Sequence, residues 1–136
     1  MLIAVDFDGT CVTHEYPNVG KDIGAQKILK RLVDRGDDLI LWTMRSGKEL
    51  DDAVAWFDDN EIPLFGVNQN PTQHKWTQSQ KAYANIYIDD AALGCPLVMR
   101  DISDRPFVDW EKVEQMLFDQ DLIIGHTVLI EVGDKL

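Results

Sequence analysis

Cysteine, basic residues and long apolar runs are all scarce in this chain, and each scarcity removes a class of protein. The two cysteines, Cys11 and Cys95, are too few for a disulfide framework and stand at no metal-ligand spacing from His74 or His126, which suits a reducing, intracellular compartment. Thirteen Lys and Arg against 24 Asp and Glu leave a net charge of −11. Such a field repels polyanions, which argues against nucleic acid and anionic membrane surfaces as partners. A phosphorylated ligand would need a locally positive pocket. No stretch approaches the roughly 18 apolar residues that span a bilayer. The start MLIAVDFDGT has no basic n-region and breaks its apolar run at Asp6, so a cytoplasmic protein is expected rather than a secreted or membrane-embedded one.

What is present suffices for one domain. The 136 residues are 45% hydrophobic, enough for a core without covalent staples. Leu2 to Phe7 (LIAVDF) reads as a strand buried on both faces, ending in an acidic, glycine-containing turn. From about Lys21 to Arg35 a helical stripe of Ile28, Leu29, Leu32 and Val33 stops at Gly36. Leu39 to Thr43 (LILWT) is a second buried strand. Ser46 and Glu49 then form a capping-box signature for a helix carrying Leu50, Ala53, Val54 and Phe57.

Pro63 to Val67 makes a third strand, Thr77 to Ala84 a short helix, Ile86 to Ile88 a fourth strand and Pro96 to Met99 a fifth. Asp109 can N-cap a helix whose Val108 and Val113 form a hydrophobic staple. Thr127 to Val132 looks β-like but finds no place in this order. Strands alternating with helices predict a Rossmann-like, three-layer α/β/α fold around a mostly parallel sheet. Its core is expected over residues 1–118, with residues 119–136 an extension of unknown role.

Ligands of such sheets bind at the carboxyl ends of the strands, and three strands deliver polar residues there. Asp6 and Asp8 follow the first, Thr43 ends the second, and Asp89 and Asp90 follow the fourth. Four carboxylates at one sheet edge repel one another, so a divalent cation is the simplest compensation. All-oxygen ligands favour magnesium.

The run Asp6-Phe7-Asp8-Gly9-Thr10 after an apolar strand resembles the first motif of haloacid dehalogenase-like hydrolases. Thr43 is similar to the second motif's Ser/Thr, Lys81 to the third motif's lysine and Asp89-Asp90 to the fourth motif's acidic pair, and AALGCPLV resembles small capless bacterial and phage members. The resemblance implies a magnesium-dependent phosphatase that forms an aspartyl phosphate on Asp6. Asp8 would then be the acid and base. The ion would be held by Asp6, by Asp8 through its backbone carbonyl, and by Asp89 or Asp90. Gly9, Thr10, Thr43, Arg45 and Lys81 would bind the substrate, and backbone donors of the helix after Ser46 would add to the phosphate site. An acid two residues after the nucleophile also points to phosphate esters rather than to dehalogenation or ion pumping.

Plainer readings stand beside these. Asp-Gly is a common turn dipeptide, threonines end strands routinely, and Lys75 rivals Lys81 as the motif lysine. Arg45 reads equally well as a surface arginine; His14, placed to touch a leaving group, reads more simply as an exposed loop histidine, and Trp76, able to stack on a substrate ring, as sheet-edge packing. A phosphotransferase, or a non-catalytic phosphoacceptor or binding domain, would share the site geometry. The windows in which relatives insert caps, about Gly9 to Gly20 and Asn68 to Gln80, are too short for a lid domain. An open site taking a small phosphorylated molecule or a large phosphorylated partner is expected, unless a second subunit of a homo-oligomer covers it.

Overall fold

The computed structural model describes residues 1–119, so the β-like run at residues 127–132 and nearly all of the extension lie outside the described residues. Four strands, β1 (Leu2–Val5), β2 (Asp38–Leu41), β3 (Gly66–Val67) and β4 (Ile86–Ile88), form one parallel sheet in the order β3-β2-β1-β4. Val5 pairs with Leu41 on one side and Ile88 on the other, so the carboxyl ends of these three strands finish level.

That order dictates where everything else lies. The chain steps from β1 to β2 to β3 in one direction and then jumps back past β2 and β1 to β4. Right-handed crossovers therefore put the connections α1 (Ala25–Asp34) and α2 (Gly47–Asp59) on one face and the β3–β4 connection on the other. Packing agrees: Ile3, Val5, Leu39 and Leu41 share a core with Leu29 and Leu32 of α1, with Ala53 and Phe57 of α2, and with Trp110 of α3 (Trp110–Glu114). Ala4 and Ile40 face the other way and meet Ala84, flanked by Trp42 and Phe65. The fold is thus Rossmann-like α/β with a parallel central sheet between two covering layers, the second much thinner than the first.

The thin layer differs from expectation. No helix forms over Thr77 to Ala84; the single helical turn in the β3–β4 connection is a 3-10 turn at Gln73–Lys75. Gln73 is the cause. Its buried amide donates to the carbonyls of Ser79 and Lys81 and accepts from the Tyr83 N–H, satisfying backbone groups that a helix would have used. The fifth strand also lies elsewhere than in the main sheet: β5 (Leu97–Val98) pairs antiparallel with β6 (Phe107–Val108) in a separate ribbon.

Helix starts show how capping signals translate. α1 begins at Ala25 rather than near Lys21, because the Thr13 N–H donates to the Lys21 carbonyl and the Lys21 N–H to Thr13 Oγ1, tying that residue to the preceding loop. Asp109 caps α3 as its position suggests, accepting from the Lys112 N–H at 3.2 Å. Ser46 marks the start of α2, but its side chain makes no cap hydrogen bond, so the capping box locates the helix without closing. Among the described residues no helix is long and apolar enough to cross a membrane.

Candidate active site

β1 and β4 run side by side but connect to the rest of the sheet in opposite directions, so the strand order reverses between them and leaves a crevice at their carboxyl ends. Asp6 follows β1 and its N–H donates to the Ile88 carbonyl at 3.0 Å, extending the pairing by one residue. Phe7 turns inward, fully buried against Trp56 and Phe57. Its carbonyl accepts from the N–H groups of Thr10 and Cys11, which closes the loop behind it. The apolar anchor between the two aspartates holds that loop to the core.

Asp89 and Asp90 arrive from β4, and one carboxylate oxygen of each can lie within 4.8 Å of one on Asp6 and of each other. Thr10 knits the group together, its hydroxyl donating to Asp6 Oδ2 at 2.8 Å and accepting from the Asp90 N–H at 3.1 Å. Burial above all pushes the Asp6 carboxyl from 3.8 up to about 8; Asp89 and Asp90 add to the rise, and hydrogen bonds from Thr10 and the Phe7 backbone oppose it. Asp89 is raised as well, by burial first and then by Asp90. The buried Cys11 thiol is driven far up by burial and then by Asp6 and Asp8, and it donates to the Asp6 carbonyl, which leaves it inert.

A cleft of about 350 Å³ opens over this edge, lined by Asp6, Trp42, Thr43, Met44, Asn68 and Asp89, none of them basic. Thr43 Oγ1 accepts from the Arg45 N–H at 3.2 Å, which leaves its proton free to donate into the cleft. Asn68 is the residue that the sequence pattern did not single out. It sits just past β3 at φ 53° and accepts the Thr43 N–H on Oδ1 at 2.8 Å, so its amide NH₂ remains for a ligand. The available signal was an Asn at a strand end, where the left-handed conformation is tolerated.

Other expected site residues are placed differently. Arg45 is not a substrate contact: its side chain is 1% exposed and all five N–H donors are engaged. Two go to Asp8, at 2.8 and 2.7 Å, and three to the carbonyls of Pro17, Asn18 and Glu49. The guanidinium also lies 5.0 Å from the Phe7 ring centroid and 5.2 Å from that of Tyr16. Asp8's carboxylate consequently faces Arg45, outside the acidic trio. Gly9 and Thr10 are scaffold rather than substrate binders, because the Gly9 N–H donates to the Val12 carbonyl and Thr10 is fully buried, its carbonyl capped by Trp110 Nε1.

Neither lysine enters the cleft. Lys81 Nζ lies 5.2 Å from the Tyr87 ring centroid, beside a different hollow formed with Trp76 and Tyr83. Lys75 is exposed on the 3-10 turn. Trp76, 63% exposed, packs edge-on against Tyr83 rather than near the aspartates. His14, by contrast, reaches the site, with Nε2 2.8 Å from Asp90 Oδ2.

No protein-family model and no curated protein matches the chain. Among solved structures, a conserved protein from Bacteroides thetaiotaomicron is similar, at 34% identity over 88% of this chain and 91% of that one, with a TM-score of 0.72. Identity at that level over nearly the full length of both chains goes beyond a shared fold, and this chain belongs to the same family as that conserved Bacteroides protein.

Proposed function

We propose that the chain is a magnesium-dependent phosphomonoesterase of the haloacid dehalogenase-like type, with Asp6 as nucleophile. The observation that carries this reading is the meeting of Asp6, Asp89 and Asp90 within 4.8 Å at the reversal of strand order, beside a cleft without a basic residue. Three hard oxygen donors fit a hard dication, and Asp6 at about 8 bears an ionisation cost that a cation would remove. Bound by these three carboxylates, magnesium would supply charge neutralisation to the nucleophile and the phosphoryl group.

The residues then divide the reaction. An Asp6 oxygen attacks phosphorus while the bond to the leaving oxygen breaks, and that oxygen takes a proton from Asp8. Water next attacks the aspartyl phosphate and hands its proton to Asp8, which releases Asp6 and inorganic phosphate. The Thr43 hydroxyl and the Asn68 amide are the free donors placed for phosphoryl oxygens, the task that the family resemblance assigns in part to a lysine. Asp8 accepts two hydrogen bonds from Arg45, so before it can protonate the leaving oxygen it must release at least one of them and take up a proton from solvent. The described arrangement is therefore a resting one.

That pairing favours a second reading, a phosphoacceptor that keeps its phosphate because Asp8 stays on Arg45. Aryl phosphate hydrolysis with magnesium separates the two. Steady, magnesium-dependent release of phosphate supports the phosphatase. A burst of one phenol per chain, with a phosphate retained on Asp6 by mass spectrometry, supports the acceptor. Absence of both sinks the nucleophile assignment.

A further inference from the structure

His14 belongs to no motif, yet it is the one residue from the loop after the first motif that reaches across to β4's aspartates. Its Nε2 stands 2.8 Å from Asp90 Oδ2, and both side chains are 15% exposed, so the bond is partly shielded from water. In this bond a carboxylate oxygen accepts and the ring N–H donates. The pair crosses directly above Gly9, at φ 79°, where an added Cβ would collide with both His14 Nε2 and Asp90 Oδ2. The bare backbone of the motif is what lets the two meet.

The two oxygens of Asp90 are thereby made unequal. Thr10 Oγ1, 2.8 Å from Asp6 Oδ2, is 3.4 Å from Asp90 Oδ1, so Oδ1 is the oxygen on the Asp6 side. Oδ2 is committed to His14. An oxygen that accepts from an N–H keeps a lone pair, but a cation clasped by both oxygens of Asp90 would have to share Oδ2 with the His14 donor. Two-oxygen ligation suits Ca²⁺, which takes six to eight oxygens flexibly, whereas Mg²⁺ needs a near-octahedral set.

We propose that His14 is a positioning residue for the cation site: by holding Asp90 Oδ2 it disfavours two-oxygen ligation by Asp90 and so favours Mg²⁺ over Ca²⁺. The proposal rests on the cation reading above but not on phosphatase turnover. The ordering of a ligand by such a partner is commonly worth about 10- to 100-fold in affinity.

The test uses the full chain and Mn²⁺ followed by electron paramagnetic resonance, displaced in turn by Mg²⁺ and by Ca²⁺. His14→Phe keeps the ring volume without the N–H, His14→Ala serves if that variant does not fold, and His14→Gln restores a donor. Mg²⁺ affinity should fall about tenfold or more in His14→Phe, with Ca²⁺ weakened less or not at all. His14→Gln should recover most of the wild-type preference. If the wild-type chain binds Mn²⁺ but the Mg²⁺-to-Ca²⁺ ratio is the same in His14→Phe and His14→Ala, the role of His14 is overturned alone. If the wild-type chain binds no Mn²⁺, the cation site falls, and this proposal with it.

Discussion

Asp6 and Asp8 share one loop, separated by a single buried phenylalanine, and their surroundings are opposite. Asp8 meets a buried guanidinium in a two-pronged pair, and three backbone carbonyls hold that guanidinium in place. Asp6 meets two more carboxylates and a threonine, with no cation lining its cleft. The protein thus pairs one aspartate with a cation of its own and gives the other none. In motif language the two look alike; in electrostatic terms one is a structural anchor at rest and the other a vacancy of charge.

The sharpest way to break the comparison is to remove the charge that is left over. Asp6→Asn should lower magnesium-dependent turnover by at least about a thousandfold, since the other oxygen nucleophiles lining the cleft, Asp89 and Thr43, are assigned to the cation and the phosphoryl oxygens rather than to attack. The same change should raise the melting temperature at neutral pH without magnesium, because burying Asp6 costs the folded chain the ionisation that the unfolded one keeps, and an amide bears no such cost. Phosphate release and thermal melting on one preparation check both halves. A variant that turns over normally would refute the nucleophile, and one that melts lower would refute the cost of burying Asp6.

On the other side, removing Arg45 should damage the fold rather than relieve it. Arg45→Ala strands the Asp8 carboxylate and leaves the Pro17, Asn18 and Glu49 carbonyls without their donor. Breaking one partner of a buried pair costs about 3–5 kcal/mol, which urea unfolding would register as a large drop in midpoint. A loss under about 1 kcal/mol, the usual worth of an exposed pair, would mean that Arg45 is solvated and the contrast with Asp6 is false.

A smaller, pH-dependent effect follows from Asp6 itself. Its pKa is raised on folding, so between 3.8 and about 8 the folded chain binds more protons than the unfolded one. Stability without metal should therefore be fully present below the unfolded value and be lost progressively as pH rises to about 8, then level off. Asp89 shifts in the same direction. Melting temperatures in chelator from pH 4 to 9 should fall less steeply for Asp6→Asn than for wild type. Magnesium should stabilise wild type most at the alkaline end, where it need not displace a proton. Parallel wild-type and variant curves would show that Asp6 is ionised throughout.

Much of this arrangement could be read from the chain because it lies in short-range pattern. Apolar runs ending in polar residues, Asp6, Thr43 and Asp89, placed β1, β2 and β4 and their carboxyl-end residues, since alternating strands and helices constrain topology strongly. The β3–β4 connection was not legible, because its conformation hangs on long-range amide bonds from Gln73 and Asn70 that no periodicity records. Arg45 was misread for a related reason. An arginine two residues past a strand looks solvent-facing, and only the return of the loop through Pro17 and Asn18 encloses it. His14 and Asn68 entered the site through tertiary contacts with Asp90 and Thr43, residues 76 and 25 positions away.

The smallest expected effect concerns the lysine that motif order would have placed beside Asp6. Lys81 lies over Tyr87, whose hydroxyl donates to the Ala82 carbonyl at 2.6 Å, so the ring beneath the ammonium is itself held by the adjacent backbone. Tyr87 shares the face of its register partner Ala4, the side of the sheet under the thin layer, whereas Asp89 lies past the end of β4 and lines the cleft over the strand ends. Lys81 rests against that second face, beneath the thin layer's hollow, while the cleft opens over the strand ends. An exposed cation on an aromatic face is worth about 0.5–1 kcal/mol. Lys81→Ala should therefore leave magnesium-dependent turnover within about threefold of wild type and cost no more than that small stability, with Lys75→Ala indistinguishable from wild type. Measuring kcat and KM separately sharpens the test. A loss of about a hundredfold in kcat, roughly 2.7 kcal/mol of transition-state stabilisation, would require Lys81 to swing from Tyr87 to the phosphoryl group during turnover. The cleft would then acquire a protein cation after all, and the contrast between Asp6 and Asp8 would hold for the resting state alone.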